Sequence, residues 1–348
     1  MAYTTINKST DYFNTITYTG NATSNTNRTV GGFEPDWIWV KNRSSTDSHY
    51  LMDKVRGLDY NIETDTSAAQ ARDYLISSAS GFNGWISSNS GEVNANNATY
   101  VAWNWKANGQ GSSNTDGSIN TTYTSVNTTA GFSISKYTGT GSNATIGHGL
   151  NAVPSMIITK ATSFSEEWLV YHQSMGNTDA INLNLTNAKS SSATYWQNTT
   201  PSSSVFYVGS NDKCNKSGAT YIAYCFAEKT GYSKFGSYVG NGNADGAFVY
   251  TGFKPAFVIQ KNSGYTGNWH MYDNKRNSFN VVDNFLQANA NAAEITNNAN
   301  SSTDFLSNGF KLKGVDNASS NWQGNTYIYM AFAEAPLVGS NNVPCTAR

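Results

Sequence analysis

Charge is scarce in this chain. Asp, Glu, Lys and Arg make up 13% of its 348 residues, about half the share usual in a soluble domain. The net charge is −1 and no cluster of Lys or Arg occurs, which argues against a surface built to track nucleic-acid phosphates. Cysteine is scarce too: Cys214, Cys225 and Cys345 form no CxxC pair and their number is odd, so neither a disulfide framework nor a zinc site is expected. Cys225 stands in TYIAYCFAE, where sister segments place Asn104 and Ala331, and it reads as a small residue packed in a strand. Apolar runs are short, with none near the roughly 18 residues of a membrane-crossing helix. MAYTTINKSTDYFNT has no basic region followed by an apolar core, so no secretory signal is expected.

Asn, Ser, Thr and Gly supply the polarity, and aromatic residues reach 13%, with 9 Trp, 21 Tyr and 16 Phe. A disordered chain would lack those aromatics. Neutral polar turns with many aromatics suit a β-rich protein of an extracellular or virion type.

The most informative feature is a repeat. Tyr18-Thr19-Gly20, Tyr137-Thr138-Gly139 and Tyr238-Val239-Gly240 each open a unit. Fifteen positions after each glycine come Pro35, Pro154 and Pro255, and six further on Lys41, Lys160 and Lys261. Asp53, His172 and Asp273 follow after another twelve. Each unit then ends in TYVAWNWKA, TYIAYCFAE or TYIYMAFAE. Such a tandem array argues for architecture first and for chemistry only weakly.

Within a unit, DWIWVK, SMIITK and AFVIQK read as strands covered on both faces. A proline before them suits a strand start. HYLMD, WLVYH and WHMYD read as the next strand, across a long hairpin loop. The closing run alternates: Val101, Trp103 and Trp105, with Ile222, Tyr224, Phe226 and Ile328, Met330, Phe332, form one inward face. The opposite face, with Ala102, Asn104, Ala223, Cys225, Tyr329 and Ala331, is mostly small and fits close packing of another sheet or module. Helical signal is confined to DTSAAQARDYLISS (65–78) and, more weakly, residues 283–298, where at most a turn or two is expected.

These features predict an all-β chain of three tandem β-sandwich modules, 1–108, 109–228 and 229–348, each with its own core. Residues 1–11 read as a polar lead and 107–118 as a linker that leaves the first module independently placed. The join at 227–240 is tight, and the tail LVGSNNVPCTAR is expected to be partly ordered at best.

GFEPDWIWVKNRSS, HYLMDKVRG and TYVAWNWKA in the first module, and AGFSISKYTGTGSNATIGHGL in the second, resemble marine bacteriophage virion proteins, above all those of cyanophages. The opening MAYTTINKSTDYFNT is similar as well, and the resemblance covers most of the chain. It implies jelly-roll or concanavalin-like/SPRY-like sandwiches in a tail fibre or other virion-surface component. It carries no catalytic residues. The partners it implies are other tail or capsid proteins and a host-surface glycan or protein, with no nucleic acid and no membrane insertion. A homotrimer is expected, located on the phage particle. A decoration protein without a host ligand is the alternative, and a polysaccharide-degrading enzyme a third. The second and third modules change NRSS to ATSF or NSGY and VRG to SMG or KRN, so loop ligands need not be shared.

No catalytic, cofactor-binding or metal-ligating residue is singled out. His49, His148, His172 and His270 show no HxH or HExxH spacing and read as structural. Asp53 and Asp273 read as turn-fixing acids or as partners of a neighbour such as Lys41. Glu166 and Glu167 are adjacent and would point apart on a strand, unlike a glycosidase pair. The Gly-rich stretches 139–149 and 239–248 read as hairpin turns, not phosphate loops. Trp85, Tyr195, Trp196 and Trp322 could stack on sugars; the favoured reading is that they cover sandwich ends or an oligomer contact.

Overall fold

The computed structural model describes residues 3–78, 81–315, 318–339 and 344–345. The fold is all-β, built from antiparallel sheets. Three large sheets share one strand order. In the first, Phe13–Thr19 lies beside the closing strand Thr99–Trp105, then Trp37–Asn42, His49–Asp53 and Tyr60–Glu63. The second has Phe132–Thr138, Thr220–Phe226, Met156–Ala161, Leu169–His172 and Asp179–Asn182 in those places. The third has Ser233–Val239, Thr326–Pro336, Phe253–Asn262, His270–Asp273 and Leu286–Gln287.

Each large sheet is backed by a small one. Gly84–Ser87 pairs with Thr26–Thr29, Val205–Val208 with Ala144–Gly147, and Gly309–Leu312 with Phe248–Tyr250. Between the layers lie separate apolar clusters, centred on Ile38, Trp85 and Tyr100, on Ile157, Phe206 and Tyr221, and on Val258, Phe310 and Tyr327. The small-residue face of each closing strand packs here.

The other face of the large sheets goes elsewhere. Val101, Trp103 and Trp105 join Ile222, Tyr224, Phe226, Ile328, Met330 and Phe332 in a single buried cluster. Trp37 stacks on Tyr224 at 4.7 Å, and Phe13 on Phe332 at 5.0 Å. The three repeats therefore share one central core in addition to their sandwich interiors. Each repeat thus keeps its own sandwich core, and the first unit is packed against the other two rather than independently placed. Residues 107–118 are no free spacer: the Ala107 and Gly109 amides donate to Asp36, and the Asn108 amide to Ser125 Oγ. The lead is engaged as well, with Ile6 in the central core and the Tyr3 hydroxyl donating to the Gly252 carbonyl.

The opening motif is a packing device. Tyr18, Tyr137 and Tyr238 stack on Tyr100, Tyr221 and Tyr327 at 5.0, 5.3 and 5.0 Å. Their hydroxyls donate to the carbonyls of Val93, Cys214 and Ser320. Two residues on, Gly20, Gly139 and Gly240 touch the backbone; a Cβ there would stand 2.0–2.4 Å from the carbonyl oxygens of Ala95, Lys216 and Trp322. Only glycine permits that approach.

Two local expectations change. Residues 65–78 hold no helix but short extended pieces, Ala71–Arg72 and Ile76–Ser77. Asp65 spends its carboxylate on the His49 amide and Ser48 Oγ, and Tyr74 is left-handed at φ 52°, which no helix accommodates. Leu286–Gln287 is likewise a strand. Pro255 lies inside its strand at a register shift rather than before it, a position where the missing N–H costs no ladder bond. The tail lies partly outside the described residues; of the rest, the Cys345 amide donates to the Leu337 carbonyl.

Candidate functional site

The chemistry-bearing residues of the repeat lie at the seams between sheets, and their contacts run in a cycle. Tyr224 of the second repeat donates to Asp53 of the first across 2.8 Å. A ring nitrogen of His172 in the second lies 3.1 Å from the Tyr329 carbonyl of the third. Trp103 of the first donates to Asp273 of the third across 3.1 Å. Backbone bonds repeat the order: Glu166 to Ser67, Gly267 to Thr186, and Asp47 to Asn291. Trp168 and Trp269 donate to the carbonyls of Glu63 and Asn182, where the first repeat has His49 instead.

Asp53 and Asp273 fix turns, as one reading expected, by accepting hydrogen bonds from the backbone amides of Arg56 and Arg276, and their charge partners are arginines rather than lysine. Arg56 and Arg276 hold them, each through Nε at 2.6 Å with both side chains fully buried. Lys41, Lys160 and Lys261 sit four residues along the neighbouring strand, paired opposite or beside His49, Ile222 and Ile328. Their ammonium groups are capped by carbonyls of Asn42, Ala161 and Asn262, and also of Ser45, Ser67 and Thr186. Burial pushes Lys41 and Lys160 down to about 8 and Lys261 to about 7. Burial also holds His172 at about 4 and His49 well below its ordinary value. These groups fix sheet against sheet.

One seam differs. Where the third repeat meets the first, Glu294 takes Arg43 at 2.7 Å and Arg276 at 3.0 Å. The positions matching Arg43 are Thr162 and Ser263, so this clamp belongs to the seam that closes the cycle.

Of the four aromatics considered for stacking, Trp85 and Trp196 are buried core residues. Tyr195 and Trp322 are half-buried, and Trp322 meets Tyr265 edge-on at 4.8 Å. Among the described residues no three His, Cys, Asp or Glu side chains gather as a metal set.

An open recess lies elsewhere, against the first repeat. It has a volume of 610 Å³ and is lined by Leu58, Ile76, Tyr74, Asp59, Ser77 and Gln110, with Lys54 and Ser78. Tyr74 is 59% exposed. Its conformation is held from two sides: its amide donates to the Asp59 carbonyl, and the Arg72 guanidinium lies 5.0 Å over its ring. Arg72 also covers Tyr60 at 5.3 Å and binds Asp59 through Nε at 2.6 Å. Sequence reasoning missed this site because Tyr74 lay within the stretch read as helical.

The comparisons with known proteins bear on the whole body. Residues 8–336 match a domain of unknown function, DUF7483. The chain belongs to the DUF7483 family. The matched stretch takes in all three large sheets, so the family unit contains the complete cycle of seams. No curated protein and no solved structure matches this DUF7483 chain.

Proposed function

We propose that this DUF7483 protein is a non-enzymatic component of a bacteriophage particle, a tail-fibre or receptor-binding appendage that contacts the host surface. The observation that carries the reading is a division of labour. The interior repeats its seams three times and spends its buried charges on them, while the open cleft at Tyr74 is built on the outer loops of the first repeat, with Gln110 from the segment that follows it. A rigid scaffold with one specialised loop set suits recognition. The resemblance to marine phage virion proteins supports the particle context.

The homotrimer expectation came from avidity and from the resemblance to phage appendages, with the small-residue faces of the closing strands and the many aromatics offered as contact surface. Those faces pack inside the sandwiches, so we assign multiplicity to the particle that displays the chain, which raises avidity without new contacts. Gold labelling of purified particles tests the proposal: label at tail tips or fibres supports it, and label spread over the capsid removes it.

Decoration of the particle is the second reading, and a specific observation favours it. Phe248 and Tyr250 are about half exposed on the outer face of the third small sheet. The matching positions are Asn27 and Thr29 in the first repeat and Thr145 and Gly147 in the second. An outward aromatic pair present once per chain suits a protein contact.

A further inference from the structure

We propose that the cleft of the first repeat binds a neutral oligosaccharide, with Tyr74 as the platform on which a sugar ring stacks. This deepens the host-attachment reading by naming its site and ligand class.

Three observations carry it. The first is preorganisation. A left-handed backbone is uncommon for a bulky residue and persists only where the surroundings impose it. Here the Asp59 carbonyl and the Arg72 guanidinium impose it, so the ring stands ready before a ligand arrives. Little ordering cost remains to be met on binding.

The second is the lining. Leu58 and Ile76 give an apolar floor beside the ring, and Ser77 and Gln110 offer both donors and acceptors. An apolar face with hydroxyl-matching groups at its rim suits a sugar, which has one apolar face and a hydroxyl edge. The volume of 610 Å³ lies within the range of about 300–1,000 Å³ found for small-ligand sites.

The third is charge. Lys54 is already paired with Glu34 at 2.9 Å and Asp36 at 3.4 Å, and Asp59 with Arg72. A charged ligand meets no unpaired counter-charge. A nucleotide could stack on Tyr74, but its phosphates would find no free cation in the lining.

The second repeat does not reproduce the site. The register that pairs Tyr60 with Arg72 pairs Asp179 with Ser191 in the second repeat. Ala193 then stands where Tyr74 would be and opens the single helical turn Ala193–Trp196.

The test uses the full chain and saturation-transfer NMR with cellotriose, maltotriose and mannotriose, and with sialyllactose and a chondroitin disaccharide as charged comparators. At least one neutral trisaccharide should bind, and Tyr74→Ala should weaken it about tenfold with an unchanged circular dichroism spectrum. Tyr74→Phe should bind as the native chain does, Gln110→Ala should bind less tightly, and Tyr265→Ala, outside the lining of the cleft and packed on Trp322, should bind normally. The proposal fails if no neutral sugar binds, if only charged sugars bind, or if Tyr74→Ala binds unchanged. Adsorption of the fluorescent protein to marine bacterial cells separates the two readings. Adsorption that survives Tyr74→Ala keeps attachment and removes this site; trisaccharide binding without adsorption does the reverse.

Discussion

Trp103 Nε1 donates to Asp273 Oδ2 across 3.1 Å, 170 residues apart in sequence. That bond joins the closing strand of the first repeat to the third and completes a cycle in which each large sheet is tied to both others. The same indole packs in the central core, so one side chain serves both the apolar and the polar part of the seam.

Trp103→Ala should cost about 3–5 kcal/mol, because a buried indole leaves a cavity that rigid strands cannot close. Trp103→Phe should cost less, since Asp273 keeps Arg276. Urea unfolding measures both; a loss under about 1 kcal/mol for the alanine variant would place Trp103 outside the core.

The closing seam should be the most sensitive to loss of a charge. Glu294→Gln removes the carboxylate shared by Arg43 and the buried Arg276. Breaking one partner of a buried pair typically costs about 3–5 kcal/mol, and Asp273 retains part of the compensation here, so about 2–3 kcal/mol is expected. Thermal unfolding of the variant at low and high salt checks this, with little salt dependence expected for a buried cluster.

The first pattern legible in the sequence was the inward face of the closing strands. Period-two alternation reports which face is buried, and Val101, Trp103 and Trp105 obey it. It does not report what the face is buried against, so a face expected inside each module lies instead in the core shared by all three. Nor could alternation show that Tyr74 is left-handed, because that follows from Arg72 and Asp59 closing on it in three dimensions. Local Ala content instead suggested a helix where the chain is extended.

Stability should rise with pH from the acid side to a maximum at mildly alkaline pH. His172 and His148 are held at about 4, below the unfolded value of about 6.5. The unfolded chain therefore binds more protons between these values, and stability is lost as pH falls through that window. Lys261, at about 7, extends the same sign upward toward its unfolded value of about 10.4. The buried thiols of Cys214 and Cys225, raised by burial, oppose it above about 8.5, where unfolded thiols ionise. Unfolding free energies from pH 4 to 10 should peak near about pH 8–9. A peak below about pH 6 would contradict the buried, neutral state of these groups.

Thiol accessibility should divide the cysteines. Cys214 and Cys225 are buried, and Cys345 is partly exposed. A thiol reagent should label Cys345 alone in the folded protein and all three residues in denaturant, since the thiolate is the reactive form and burial opposes it. Fast labelling of Cys225 in the folded state would show that the second sandwich opens.

The central claim is that three sheets share one core and fold as one body. Scanning calorimetry of the intact chain tests it most directly. The account predicts one transition with calorimetric and van't Hoff enthalpies in agreement, shifted as a whole by Trp103→Ala. Separate transitions, with Trp103→Ala moving only one of them, would contradict it.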